Sequence, residues 1–343
     1  MSYFHFRNVK IAGFSAGIPK EIITNETLEV SDYTAEDFVE ATGINSRRVS
    51  NELTTSDLCY EAAVSLLADL NWAKSEIGII VFVSQTPDYI EPATACILQE
   101  RLGFNKECYA IDVSMGCSGW VYGLSSILPL LTSGNIKKGL LMVGDAKRRY
   151  NYFDPLFGHA GTVTALEYQE GNDGFKFHFG TDGSGYNAII IPDGGSRNQV
   201  NIHSFDLENV GGKLLNRLQT RMNGMDVFSF GISIAPKSVK NLIEHFNLNI
   251  ENFDYFIFHQ ANLMMNEKIR KKLKLDKDKV PMSLYEFGNT SSASIPLTII
   301  SQLKGKIEEK NTSFICCGFG VGLSWGTVAF DTSNIIISKL VEL

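Results

Sequence analysis

The sequence predicts an α/β protein in which one helix-and-strand unit is written twice. Three observations carry that prediction. Short apolar, β-branched runs alternate with longer stretches of helical spacing. The runs are apolar along most of their length, as expected of strands covered on both faces. Two helix-to-strand passages also recur at nearly constant offsets.

The strand-like runs are residues 9–14, 77–83, 109–113, 139–143, 188–191, 253–258 and 312–317, each bounded by polar or glycine residues. Helical spacing covers residues 56–70, 94–102, 118–131, 232–246, 263–273 and 293–303. In the first recurrence, residues 62–71, a polar link and the run 77–83 lie over residues 238–247, a link and the run beginning at 253, at an offset of 238 − 62 = 176. In the second, Gly134-Asn-Ile-Lys-Lys lies over Gly305-Lys-Ile-Glu-Glu, at an offset of 305 − 134 = 171. Two related halves, 1–175 and 176–343, are therefore expected.

The 343 residues carry 31 Lys and Arg against 38 Asp and Glu, a net charge of −7. That balance argues against a protein devoted to neutralising phosphates on nucleic acid or lipid. Small molecules and proteins are the expected partners. Only 9 prolines and 44% hydrophobic residues argue for a folded chain without long disordered tails. The six cysteines (Cys59, Cys96, Cys108, Cys117, Cys316 and Cys317) lack Cys-x-x-Cys spacing, so they make a poor zinc site and a poor disulfide framework. No secretion signal and no run of about 18 apolar residues is evident, so a soluble cytoplasmic protein with reduced thiols is expected.

Cys117 stands in Asp112-Val-Ser-Met-Gly-Cys-Ser-Gly-Trp120, between an apolar strand and a helix. A thiol at a helix start meets unpaired N–H groups and the positive end of the helix dipole, which favour thiolate. His259 ends the apolar run before Gln260-Ala-Asn262, where open α/β sheets gather functional groups. Asn289, in Gly288-Asn-Thr-Ser291, occupies a similar strand-to-helix turn, 289 − 117 = 172 residues after the cysteine. A pseudo-twofold fold brings such junctions together. The loop Gly318-Phe-Gly-Val-Gly-Leu-Ser-Trp-Gly326 lacks the dinucleotide-binding spacing and leads into another apolar strand, so it is read as a source of backbone N–H groups for an oxyanion.

These segments, together with Met222-Asn-Gly-Met-Asp-Val-Phe228 and Thr42-Gly-Ile44 followed by Arg47 or Arg48, resemble in order the β-ketoacyl-acyl-carrier-protein synthase III family of the thiolase-like superfamily. The resemblance spans almost the whole chain. It implies a duplicated, five-layered αβαβα thiolase-like fold, a homodimer, and acyl-coenzyme A or acyl-carrier protein as substrates without metal, flavin or nicotinamide. It implies that Cys117 takes an acyl group from a thioester, and that His259 and Asn289 stabilise the enolate formed when a malonyl thioester loses CO₂. It further implies that backbone N–H groups of Cys117 and Val321 hold the acyl oxyanion, that Phe319 lies near the sulfur, and that Glu91 stands at the edge of the acyl pocket, where the family often has an apolar residue.

Several positions depart from the family pattern. Asp37 and Ala41 replace a tryptophan and an arginine that contact coenzyme A, His159 replaces an acid in Phe157-Gly-His-Ala-Gly-Thr162, and Met264 replaces a frequent base at the carrier-docking surface. Lys268, Arg270, Lys271 and Lys272 lie nearby. A specialised, carrier-bound donor is expected. An acyltransferase that delivers to an oxygen or nitrogen nucleophile fits the same cysteine and histidine. A papain-like hydrolase shares the Cys, His, Asn order, but Trp120 is three residues past the cysteine and the halves repeat. A degradative thiolase needs a second cysteine; Cys316-Cys-Gly-Phe-Gly320 has the pattern, yet it ends an apolar run and reads as core.

Overall fold

The computed structural model describes residues 2–25, 34–146 and 154–343. Its helices are α1 (Ala35–Thr42), α2 (Thr55–Asp69), α3 (Thr94–Leu102), α4 (Gly119–Thr132), α5 (Gly224–His245), α6 (Leu263–Leu273), α7 (Leu284–Phe287) and α8 (Ser294–Leu303). A first sheet of seven strands runs Ile336–Ile337, Val9–Ile18, Ala160–Tyr168, Lys138–Asp145, Ile77–Val83, Tyr109–Val113, with Val341–Glu342 also beside Val9–Ile18. A second sheet of five runs Ser2–Phe6, Phe175–Thr181, Ser324–Thr332, Thr312–Gly320, Tyr255–Phe258. Each terminus crosses over: the first strand lies in the second sheet and the last two in the first.

Parallel pairing requires crossovers, and helices supply them. Ile77–Val83 pairs in parallel with both Tyr109–Val113 and Lys138–Asp145, with α3 and α4 as the connections. Tyr255–Phe258 pairs in parallel with Thr312–Gly320. The recurring sequence passages thus occupy corresponding places in the two sheets.

The strands read as continuous apolar runs because both faces are buried. In Ile77–Val83, Ile79, Val81 and Val83 point to a central core shared with α4 and α8, while Ile77, Ile80 and Phe82 pack on the opposite side with α2 and α3. The second sheet does the same. Ile257, Phe314, Cys316, Val328 and Phe330 join the central core, whereas Phe256, Phe258, Ile315, Cys317 and Ala329 pack under α5 and α6. Helices, sheet, helices, sheet, helices: these are the five layers of a thiolase-like fold.

Three local expectations are corrected. The helix expected at 232–246 begins at Gly224, where Asn223 caps it by accepting from the Asp226 N–H; glycines at 224 and 231 mask the amphipathic pattern of Val227, Phe228, Ala235, Val239 and Leu242. The run 109–113 is an edge strand, not a buried one, with Tyr109 48% exposed. The run 188–191 contributes only Ile189–Ile190, paired with Arg221–Met222 in a two-stranded ribbon. The strands Ala160–Tyr168 and Phe175–Thr181 escape the apolar reading because polar residues interrupt them: Thr162 and Thr164 in one, Lys176 and His178 in the other.

Burial of thiols gives the fold an alkaline weakness. Desolvation pushes the Cys317 thiol up to about 12, Cys108 to about 11, and Cys59 and Cys316 well above the usual range. Unfolded thiols ionise near about pH 8.5, so above that pH the unfolded chain sheds protons that the folded chain retains, and stability falls by up to about 1.4 kcal/mol per pH unit for each buried thiol. Urea unfolding midpoints are expected to hold between about pH 7 and 8 and to drop between about pH 9 and 11, less steeply in Cys59→Ala.

Candidate active site

Cys117, His259 and Asn289 line one cavity of about 1870 Å³, together with Phe319, Gly320 and Val321. That exceeds the roughly 300–1,000 Å³ of ordinary small-ligand pockets and leaves room for a long thioester. Cys117 and His259 follow strands of the two sheets, whereas Asn289, expected in a strand-to-helix turn, follows the short helix α7; the three meet near the starts of the central helices α4 and α8.

Each side chain is placed by local structure. Cys117 follows the strand Tyr109–Val113 and precedes α4, and its Sγ lies 3.9 Å from Ser291 Oγ. Below it, Asp112 accepts from the Thr94 and Ala95 N–H groups, both at 2.7 Å, which locks the start of α3 to this strand. His259 extends the parallel ladder, its N–H donating to Cys317 O at 2.9 Å. Its ring is 2% exposed, stands edge-on to Phe319 with centroids 5.7 Å apart, and has Nδ1 2.8 Å from Ser294 Oγ at the start of α8. Asn289 is fixed at both ends. Its backbone N–H donates to Leu156 O at 2.8 Å, and its side-chain Oδ1 accepts from the Ser291 N–H at 2.9 Å, so the carboxamide presents its NH₂ as donor.

Two backbone features make this convergence possible. Gly288, with φ 63° and ψ −157°, turns the chain from α7 into the Asn289 segment in a conformation side chains disfavour. Gly320 lets the second sheet approach the nucleophile: a Cβ there would stand 2.6 Å from Cys117 Cβ and 3.0 Å from its Sγ. Ser291 also holds a positive φ of 52°, backbone strain of the kind that collects at functional sites. The two loops are stitched by Ser118 Oγ, 2.7 Å from Ser324 Oγ, which donates to Val321 O at 3.0 Å.

The other expected residues divide. Phe319 and Val321 line the cavity. Glu91 does not: it is exposed, beside Ile90 at 96% exposure, and is absent from the cavity lining of this chain. Of the two arginines, Arg47 is the cavity residue, 2% exposed beside the Asp154 charge, whereas Arg48 pairs with Glu342 at 3.0 Å. Burial holds the Arg47 guanidinium below its ordinary range, and Asp154 opposes that shift. His159 lines the cavity and its Nδ1 accepts from the Ser50 N–H at 3.2 Å. Asp37 lies on the surface in the capping box of α1 with Thr34. Cys316 and Cys317 are fully buried in the sheet, away from the cavity lining. Ser291, Ser294 and Gln85 were not singled out from the sequence. The hydroxyl run Ser291-Ser-Ala-Ser294 and the polar Ser84-Gln-Thr86 at the carboxyl end of a strand are the signals that point to them.

Comparison with known proteins agrees with this architecture. Residues 111–183 match the family described as 3-oxoacyl-[acyl-carrier-protein (ACP)] synthase III, and residues 243–332 match its C-terminal part. A β-ketoacyl-[acyl-carrier-protein] synthase III of Clostridium acetobutylicum is 32% identical over 328 residues, covering 94% of this chain and 98% of its own. One from Bacillus pumilus is 33% identical over 331 residues, with the same shares covered. The crystal structure of a 3-oxoacyl-(acyl-carrier protein) synthase from Burkholderia xenovorans LB400 is 35% identical and has a TM-score of 0.92, covering 100% of this chain and 99% of that one. With likeness sustained from end to end in sequence and fold, the chain belongs to the β-ketoacyl-[acyl-carrier-protein] synthase III family.

Proposed function

We propose that this protein is a transferase that condenses an acyl thioester with malonyl-acyl-carrier protein through an acyl-Cys117 intermediate, in fatty-acid or related lipid synthesis. The observation that carries the proposal is the meeting of a thiol, an imidazole and a carboxamide N–H in one cavity of thioester size. Cys117 thiolate attacks the donor carbonyl, the donor C–S bond breaks, and the departing thiolate takes a proton. Backbone N–H groups of Cys117 and Val321 hold the oxyanion. Malonyl then loses CO₂, and the electron pair of the broken C–C bond becomes an enolate. Its oxygen accepts from Asn289 Nδ2 and from His259 Nε2, which carries hydrogen when the Ser294 hydroxyl donates to Nδ1. Each such donor is worth roughly 3 kcal/mol at the transition state. The enolate carbon attacks the acyl-cysteine carbonyl, and Cys117 leaves as thiolate.

This chemistry calls on no metal, flavin or nicotinamide. Carrier docking is assigned to the mouth of the cavity, where Lys268 Nζ stands 4.8 Å over the Phe228 ring and Met264 is 48% exposed. Arg270 and Lys272 are engaged elsewhere, with Glu267 and with Ile232 O. A homodimer is supported by the edge strand Tyr109–Val113 and the exposed Tyr89 and Ile90. Among the described residues no helix is long and apolar enough to cross a membrane.

Intact-protein mass spectrometry tests the reading. Acyl-coenzyme A or acyl-carrier protein is expected to leave an acyl adduct on Cys117, which malonyl-carrier protein discharges with CO₂ release. Discharge by an alcohol or amine acceptor, without CO₂, assigns the protein instead to oxygen or nitrogen acylation.

A further inference from the structure

We propose that Gln85 selects the acyl group: its carboxamide receives a hydroxyl or carbonyl oxygen carried on the second or third carbon of the donor chain. The inference rests on Cys117 being the acylated nucleophile.

Gln85 follows the strand Ile77–Val83 at its carboxyl end, and its backbone is clamped. The Gln85 N–H donates to Asp145 Oδ1 at 2.8 Å, and Asp145, 2% exposed, also accepts from Ser84 Oγ at 3.1 Å and from Ser292 Oγ at 3.3 Å. One buried carboxylate thereby ties the Gln85 turn to the Asn289 turn. The Gln85 side chain reaches over Gly116, the residue before the nucleophile. A Cβ placed on Gly116 would stand 2.6 Å from Gln85 Oε1 and 3.3 Å from Val321 Cγ2. The carboxamide, Cys117 and Val321 all line the cavity, and we place the first carbons of an acyl chain carried on Cys117 beside them.

Among the described residues the Gln85 carboxamide makes no hydrogen bond, although it is half-buried and lines the cavity. Its neighbours are occupied: the Ser84 hydroxyl faces Asp145 and the Thr86 hydroxyl lies 2.7 Å from Thr55 Oγ1. A plain alkyl chain packed against Gln85 strips water from a donor and an acceptor and returns nothing. A hydroxyl on the chain can accept from the Gln85 NH₂ or donate to Oε1, and an oxo group can accept from the NH₂. Sites with a built-in polar partner reject the unsubstituted analogue far more strongly than an apolar pocket separates methylenes.

The test compares butyryl with 3-hydroxybutyryl and 3-oxobutyryl donors, as coenzyme A and carrier-protein thioesters, by the single-turnover rate of adduct formation on the full chain. The two oxygenated donors are expected to react about 10- to 100-fold faster than butyryl. Gln85→Leu is expected to bring the ratio within about threefold, chiefly by accelerating butyryl. Gln85→Glu keeps the shape but only accepts, so it retains the 3-hydroxyl preference and loses the 3-oxo preference, a split that a merely structural role does not produce. Equal rates for the three donors in the wild type, or an unchanged ratio in Gln85→Leu, overturns the proposal while leaving acyl-Cys117 in place. No adduct from any donor with folded protein removes the Cys117 reading, and this inference with it.

Discussion

Cys117→Ala is expected to form no acyl adduct and to condense about 10⁴-fold more slowly or worse, because removing a covalent nucleophile removes the pathway and not one contact within it. The substitution is small, the site is half-buried, and the fold is expected to persist, checked by an unchanged unfolding midpoint near neutral pH. Chemistry at the other thiols gives an internal control. Cys59, Cys316 and Cys317 are fully buried and held protonated by desolvation, so iodoacetamide near pH 8 should leave them intact. Cys96 is exposed and will react, but its alkylation should not change activity. Peptide mapping against residual rate is expected to show loss of activity tracking Cys117 alone. Inactivation that tracks another thiol would sink the assignment.

His259→Ala and Asn289→Ala should separate the two half-reactions. Both side chains are assigned to the enolate, where charge develops, so each loss is expected to slow malonyl decarboxylation and condensation about 10²- to 10³-fold. Acylation of Cys117 should change by less than about tenfold, since its oxyanion is assigned to backbone N–H groups. Ser294→Ala is expected to act through His259: it removes the partner of Nδ1 and should cost about tenfold in decarboxylation while also shifting its pH profile. Rates of CO₂ release and of adduct formation, measured separately, check this. Equal impairment of both half-reactions contradicts the roles given to His259 and Asn289.

Much of this arrangement is visible in the chain itself. Apolar runs such as 77–83 and 312–317 and the amphipathic stretches 94–102 and 263–273 announce strands and helices because burial imposes a period on the residues that face a core. α3 and α6 begin and end where that period does. Cys117, His259 and Asn289 are legible for a related reason: each sits in a glycine- or polar-rich turn, after a strand for Cys117 and His259 and after α7 for Asn289, and the half-repeat sets Asn289 in correspondence with Cys117.

The sequence by itself therefore determined the layered α/β class and singled out Cys117, His259 and Asn289, which the fold gathers in one cavity, since the class and these candidates depend on local periodicity and on short motifs. Only the tertiary structure decided that Arg47 and not Arg48 enters the cavity, that Glu91 faces outward, that Ser294 holds the imidazole, and that Gln85 lies over Gly116. Those outcomes depend on how segments up to hundreds of residues apart pack across two sheets. Neighbouring residues such as Arg47 and Arg48 share composition and hydropathy, and only the direction of a strand's pleat and the approach of a distant loop tell them apart.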